Sequence, residues 1–317
     1  MKKFLYLSIA LTMLIPVAFA QLFTLSKNRD HIYPTDTTQT EKEYKIKLLS
    51  DDTVRSIDLE EYVVGVVLAE MPLDFEMDAL KAQAVVARTF ACKRQKNPKH
   101  QNADVCNNSS CCQAYMAPEE YIKSGGTADS LKRALDAAQN TTGQVVVYEN
   151  ELIEATYFSC SGGQTESAAA VWGADVPYLQ SVSSPGEEHS ARFTESVTMS
   201  WERFSNCIDY KDGYTKHISV ISYTDGGGVD KVEIGNQFYS GTELRGLLNL
   251  RSTVFEISVE DQTVRINTKG FGHRVGMSQY GADAMAVQGA DYIAILKHYY
   301  KGVDVADLNE YGNAVYH

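Results

Sequence analysis

The stretch Asp58–Phe90, DLEEYVVGVVLAEMPLDFEMDALKAQAVVARTF, decides how the chain is read. Asp58 followed by Glu61 has the spacing of a helix N-terminus, a cap and its capping-box partner. Leu59, Tyr62, Val63, Val66 and Val67 then recur at helical intervals, and the next position on that stripe is Glu70. An unpaired ionised carboxylate costs several kcal/mol to bury, so such a group raises its pKa and keeps its proton near neutrality. That protonated state is the one a general acid needs. Pro72 ends the helix just after Glu70 and leaves the side chain at an interior edge. The competing reading is a helix-terminal Glu that turns to solvent or caps a neighbouring backbone group.

Outward from Glu70, a second helix is predicted over about Glu76 to Cys92, with Leu80, Ala84, Ala87 and Ala91 on a face suited to close packing. Lys81 and Arg88 share a side of it, two turns apart, where they would hold hydroxyl or carboxylate groups of a substrate. A direct ion pair with Glu70 would lower its pKa, so at most one of them is expected to approach it. Otherwise they are solvated surface cations.

Before this stretch lie strands predicted at Tyr44–Leu49 and Val54–Ile57, paired through Asp51-Asp52. After it come a cysteine-bearing loop, Lys96–Met116, a helix at Ala128–Gln139, and a hairpin of Gln144–Tyr148 with Leu152–Phe158. Pro177–Val197 reads as loop, followed by a short helix holding Trp201. Strands are predicted at His217–Thr224, Val229–Ile234, Val254–Val259 and Val264–Asn267, with a helix Glu243–Leu248 capped by Ser240. Ser278 starts a helix ending at Gly289, and a last helix runs over Asp291–Tyr300. Strands and helices alternate without regular βαβ spacing, which predicts an α+β fold. Gly270-x-Gly272-x-x-x-Gly276 misses the dinucleotide fingerprint by one residue and lacks its βαβ frame.

The 317-residue chain carries a formal charge of −12, which argues against nucleic acid and anionic lipid as partners. Its 19 tyrosines suit a surface that stacks on sugars. Two lysines followed by an apolar run from Phe4 to Ala20 predict export, either by a cleaved signal or through a retained anchor over residues 1–20. Residues 21–43 are polar and aperiodic and read as a tether, leaving 44–317 as one catalytic unit.

His100, Cys106, Cys111 and Cys112 place four nitrogen and sulfur ligands in one loop, as tetrahedral zinc demands. A disulfide is the alternative, favoured by export. Cys160 beside Ser161-Gly162-Gly163 is a rival nucleophile, with His273 as its base.

The blocks VVGVVLAEMP, ALKAQAVVARTF, YFSCSGGQTESAAAVWG, PYLQSV, GHRVGMSQYGA and ILKHYYKGV, in that order, resemble the stage II sporulation protein D family of endospore-forming bacteria. The resemblance covers about Tyr44 to Val303; Arg274 stands where the pattern has Gly, and Cys111 where a relative has His. It implies a peptidoglycan lytic transglycosylase of forespore engulfment that prefers strands stripped of stem peptides. Glu70 would be its single catalytic acid, and His100, Cys106, Cys111 and Cys112 would hold one structural zinc ion. Lys81, Arg88, Ser161, Gln164, Thr165, His273 and Gln279 would line the groove and bind sugars. The implied partners are glycan strands, the sporulation amidase (stage II sporulation protein P) and the membrane protein stage II sporulation protein M. The implied location is the engulfing, septal membrane of the mother cell, crossed once, with the catalytic domain outside the cytoplasm. A glycan-binding scaffold that activates the amidase without cleaving is the alternative.

Overall fold

In the computed structural model, which describes residues 44–211 and 216–309, the chain opens with the hairpin Lys45–Ser50 and Thr53–Asp58. Its turn is made by Asp51 and Asp52 at φ 49° and 59°, a left-handed pair that Asp tolerates and a tight hairpin requires. Asp58 then caps the helix Leu59–Glu70, its carboxylate accepting from the N–H groups of Glu60 and Glu61 at 2.8 and 3.3 Å. Every residue from Tyr62 to Leu68 is buried, so this helix is enclosed on all sides rather than along one stripe. It packs against Met77–Lys96 and Ala128–Gln139.

Met77–Lys96 is the central helix, four residues longer at its C-terminus than the sequence predicted. Its buried alanines, Ala79, Ala82, Ala84, Ala87 and Ala91, let it lie close to several neighbours at once. These are the first helix, Ala128–Gln139, the strand Gln144–Tyr148 and the helices Gln279–Val287 and Tyr292–Tyr299. The mixed helices and strands agree with an α+β reading.

The predicted hairpin after Gln144–Tyr148 is shorter than expected, returning only over Glu151–Leu152. Tyr157–Phe158 leaves it to pair in parallel with Met277–Ser278. The cysteine-bearing loop is likewise less irregular than predicted, since Val105–Cys106 adds to Lys45–Ser50 as a parallel strand. The segment read as loop up to Val197 contains the strand Thr194–Ser200, which alternates exposed and half-buried residues and so has no apolar run to mark it. Helices Pro118–Lys123 and Ala168–Trp172 and strands Gln237–Ser240 and Asp304–Asp307 were not anticipated.

Residues from Thr194 to Lys269 build a second lobe with its own core around Trp201, Phe204, Val232, Leu244, Val264 and Ile266. It leaves and re-enters the main body at one place: Lys269 lies opposite Thr194 in the sheet, and Gly270 donates to the Phe193 carbonyl at 2.8 Å. Arg274 ties the lobes together. Its backbone sits at φ 67°, where a glycine is easier, and its buried guanidinium compensates. It pairs with Glu166 at 3.1 Å and donates to the carbonyls of Ser161, Gln164 and Gly226 at 2.7, 2.6 and 2.6 Å.

The anchor expected at residues 1–20 and the tether at 21–43 lie outside the described residues. Among the described residues no helix is long and apolar enough to cross a membrane.

Candidate functional site

Glu70 is the last residue of its helix, and Met71 behind it is extended at φ −109°, as the residue before Pro72 must be. The carboxyl is thereby turned into a cavity of about 620 Å³. The walls come from Glu70–Pro72, Gln113, Thr156–Ser159, Arg192, Phe271–His273 and Gln279–Tyr280. Both ends of the chain therefore contribute, joined through the parallel pairing of Tyr157–Phe158 with Met277–Ser278.

Burial raises the Glu70 pKa above the usual carboxylate value; hydrogen bonds to its ionised form, from the Ala114 N–H and the Tyr157 hydroxyl, oppose the shift. The Ala114 bond is 2.7 Å long. Gln113 supports the arrangement, donating to the Tyr157 hydroxyl at 3.3 Å and accepting from the Tyr62 hydroxyl at 3.1 Å. Tyr157 keeps its proton, since desolvation and the charge of Glu70 push its pKa far up. Among the described residues no cation pairs with Glu70, and among those lining the cavity it is the one carboxylate.

The loop that presents Ala114 is pressed onto the first helix at Gly65. A Cβ there would lie 2.2 Å from the Tyr115 ring, and the Gly65 carbonyl accepts from Met116 N–H at 3.0 Å. The Tyr115 ring also stacks on Tyr62, 5.8 Å between centroids. Only a glycine lets the loop come this near.

Two of the predicted substrate residues line the cavity. Gln279 donates to the Glu70 carbonyl at 3.2 Å. His273 accepts from Val275 N–H at Nδ1, 3.2 Å, and its own N–H bonds the Tyr157 backbone. Burial and the charge of Arg245 lower its pKa to about 4, so the ring is neutral at pH 7. Its ring packs edgewise on Phe158 and at a tilt on Trp172, with centroids 5.7 and 5.3 Å away.

The other five are placed elsewhere. Arg88 is wholly buried, holding Glu60 through both ends of its guanidinium, with Nε to Oε1 at 2.7 Å, and donating to the Gln144 carbonyl at 3.1 Å. A buried guanidinium demands such partners, and its donors are turned to them and not to the cavity. Lys81 pairs with Asp78 at 3.3 Å on its own helix. Ser161 turns inward, both its N–H and its Oγ donating to Glu187 at 2.7 and 2.9 Å. Thr165 accepts from Val182 N–H at 2.8 Å, and Gln164 bonds Ser181 and the Asp225 carbonyl at 2.9 and 2.8 Å. None of these five lines the cavity.

For Ser161 the reason is Glu187, a fully buried carboxylate the sequence reading passed over. It gathers the Ser161–Gly162 turn, Ser184 and Ser278 around itself, with Ser184 and Ser278 each at 2.6 Å. Cys160 also donates to it at 3.1 Å, and burial with that negative neighbour pushes the thiol up to about 12. A thiol buried and hydrogen-bonded to a carboxylate keeps its proton at neutral pH, which argues against the cysteine-dependent reading.

Behind the wall at Cys112, the ligand atoms of His100, Cys106, Cys111 and Cys112 lie within 4.8 Å of one another, a group that could hold a metal ion. His100 Nε2 is 3.4 Å from Cys112 Sγ and 3.7 Å from Cys111 Sγ, and the two sulfurs are 4.0 Å apart. Ligands on a tetrahedral ion with metal–sulfur bonds of about 2.3 Å stand about 3.8 Å apart, so the donor set fits. The described cysteines are all free thiols.

Arg192, Phe271, Trp172, Tyr157 and Tyr280 were not singled out from the sequence. The one legible hint was the Tyr-Phe and Val-Trp-Gly flanks of the Ser-Cys-Ser-Gly-Gly block.

Comparison with known proteins places the chain among relatives. The family described as "Stage II sporulation protein" matches residues 50–148. The chain is 38% identical over 268 residues to stage II sporulation protein D of Bacillus amyloliquefaciens, covering 83% of this chain and 78% of the relative. Against the protein of that name from Bacillus subtilis it is 36% identical over 270 residues, 83% and 79% of the two chains. An amidase enhancer of Bacillus subtilis is 26% identical over 293 residues, 75% of this chain and 39% of that protein.

Proposed function

This chain belongs to the stage II sporulation protein D family, a sporulation family, and on that premise we propose that it is a lytic transglycosylase acting on peptidoglycan glycan strands. One observation carries the reading: among the described residues the cavity has a single carboxyl, Glu70, whose pKa burial raises and with which no cation pairs. Hydrolytic glycosidases use two carboxyls about 5–9.5 Å apart, one for the leaving group and one for nucleophile or water. A single acid suffices where the nucleophile belongs to the substrate.

In this scheme Glu70, protonated, gives its proton to the leaving O4 of N-acetylglucosamine as the bond to the muramoyl anomeric carbon breaks. The muramoyl C6 hydroxyl adds to that carbon, and its proton passes to the Glu70 carboxylate, which regenerates the acid and leaves a 1,6-anhydro end. The Tyr157 hydroxyl and the Ala114 N–H hold the carboxylate in place through the cycle. Gln113, Gln279 and neutral His273 offer donors and acceptors for N-acetyl groups and hydroxyls.

His100, Cys106, Cys111 and Cys112 would hold one zinc ion with all four positions filled by protein, which makes its role structural. When bound, it would supply a crosslink that fixes the loop carrying Gln113 and Ala114. The family also brings the wider setting we propose: anchorage through residues 1–20 in the engulfing membrane, and work beside the sporulation amidase and stage II sporulation protein M.

The test is mass spectrometry of products from denuded glycan strands. Ends in 1,6-anhydromuramic acid with wild type and none with Glu70→Gln support the assignment; reducing ends would require water and a second acid. The likeness to an amidase enhancer favours one other reading, a strand-binding activator. Equal stimulation of the amidase by wild type and Glu70→Gln, with no anhydro ends from either, would select it.

A further inference from the structure

Arg192 differs from the other cations near the cavity. Lys81 and Arg88 are spoken for by Asp78 and Glu60, and Arg251 by Glu195 at 2.9 Å. Arg245, whose charge reaches His273, donates to the Leu250 carbonyl at 3.3 Å and does not line the cavity. Arg192 lines the cavity together with Glu70, and among the described residues it belongs to no ion pair. Its guanidinium lies over the Phe271 ring, 5.0 Å from the centroid. Phe271 is itself fixed, exchanging backbone hydrogen bonds of 3.1 and 2.7 Å with Cys160. The Arg192 backbone is held by Ser190, whose Oγ accepts its N–H at 3.1 Å.

A guanidinium resting on an aromatic face keeps its N–H edge free, and that edge matches a carboxylate in two parallel hydrogen bonds. With His273 neutral, Arg192 is the one standing positive charge among the described residues of the cavity wall.

The sugar backbone of a glycan strand offers a single ionisable group, the lactyl carboxyl of N-acetylmuramic acid. With a stem peptide attached it is a neutral amide; with the peptide removed it is a free carboxylate. We propose that Arg192 binds this lactyl carboxylate and thereby selects strands from which the peptide has been removed. The inference rests on the glycan reading above and assigns its substrate specificity to a residue.

The test uses amidase-stripped strands and the same strands with their lactyl carboxyls coupled to methylamine. Affinities are measured by calorimetry on the Glu70→Gln protein with and without Arg192→Gln or Arg192→Lys, and anhydro ends are counted with Glu70 intact. We expect the carboxylate form to bind about tenfold tighter than the methylamide, the contribution of a charge-assisted pair, with the preference weakening at high salt. Arg192→Gln should abolish the preference by weakening the carboxylate form alone, and Arg192→Lys should retain part of it. A preference that survives Arg192→Gln, equal loss on both ligands, no preference in the parent, or no binding of either ligand overturns the proposal. Anhydro products without the preference would leave the cleavage reading standing while Arg192 falls. The preference without products would do the reverse.

Discussion

The backbone N–H of Ala114 lies 2.7 Å from Oε1 of Glu70, two residues along the chain from Cys112 of the His/Cys cluster. The cluster and the acid are thus joined by one short piece of backbone. Gln113, between them, reaches both Tyr62 and Tyr157. Whatever holds the cluster closed also sets where Glu70 points.

Stripping metal with a chelator should therefore cost activity through loss of order. We expect amide exchange at residues 111–116 to accelerate and anhydro products to disappear, with both restored by zinc. Exchange that is indifferent to chelator, in protein that had carried about one equivalent of metal, would sink the idea.

Glu70 makes an opposite prediction for stability and activity. A carboxyl whose folded pKa is raised loses stability as pH climbs above its unfolded value of about 4.3, because the unfolded chain then ionises more readily. Glu70→Gln should melt higher than wild type near pH 7.5 and no differently near pH 4. Wild-type kcat/KM should fall as pH rises through the raised pKa. A Glu70→Gln protein less stable at pH 7.5 would mean that the carboxyl is held for structure.

Arg88 should behave as a structural residue. Arg88→Ala leaves Glu60 without its bidentate partner, and breaking such a buried pair costs about 3 kcal/mol. Denaturant titration should show that loss, whereas Lys81→Ala, on a partly solvated i,i+3 pair of one helix, should change stability by less than about 1 kcal/mol. A folded Arg88→Ala protein with unchanged stability and a raised KM would return Arg88 to the substrate.

His273, pushed down to about 4, gives a second pH window. A histidine kept neutral by the fold loses stability as pH drops from its unfolded value near 6.5 toward that lower pKa, since unfolding takes up the proton. Melting curves of wild type and His273→Gln should diverge over this interval, wild type falling faster on acidification. Parallel curves would show that the ring titrates freely.

Trp172 reports on the cavity rim. It is one of two tryptophans, half exposed beside His273, while Trp201 is buried in the second lobe. Glycan binding should alter its fluorescence, and Trp172→Ala should remove that signal and weaken binding by about 1 kcal/mol, the contribution of an aromatic stack. Retained affinity with the signal gone would make it a bystander.

The sequence showed Glu70 because a single charge interrupted an apolar stripe, and it showed the His/Cys cluster because its members are close in sequence. Arg88 misled for a related reason: its partner, Glu60, lies on another helix, and helical spacing says nothing about what a side chain meets across a helix–helix contact. Tyr157 was hidden by topology, since the strand that fixes it comes from residues 277–278. Ser161 and Thr165 looked like sugar ligands because hydroxyls in a glycine-rich turn serve either purpose. The position of Glu187 decides it for Ser161 and the Val182 N–H for Thr165, and nothing local in the sequence signals either partner.

The second lobe begins after Phe193 and is over by Gly270, and those two residues touch. Its entry and exit form one doorway, so the lobe is topologically a cassette: a different insert of similar span would leave both halves of the cavity wall in register. Arg192 stands on the threshold of that doorway, which couples any exchange of the cassette to the charge facing the substrate.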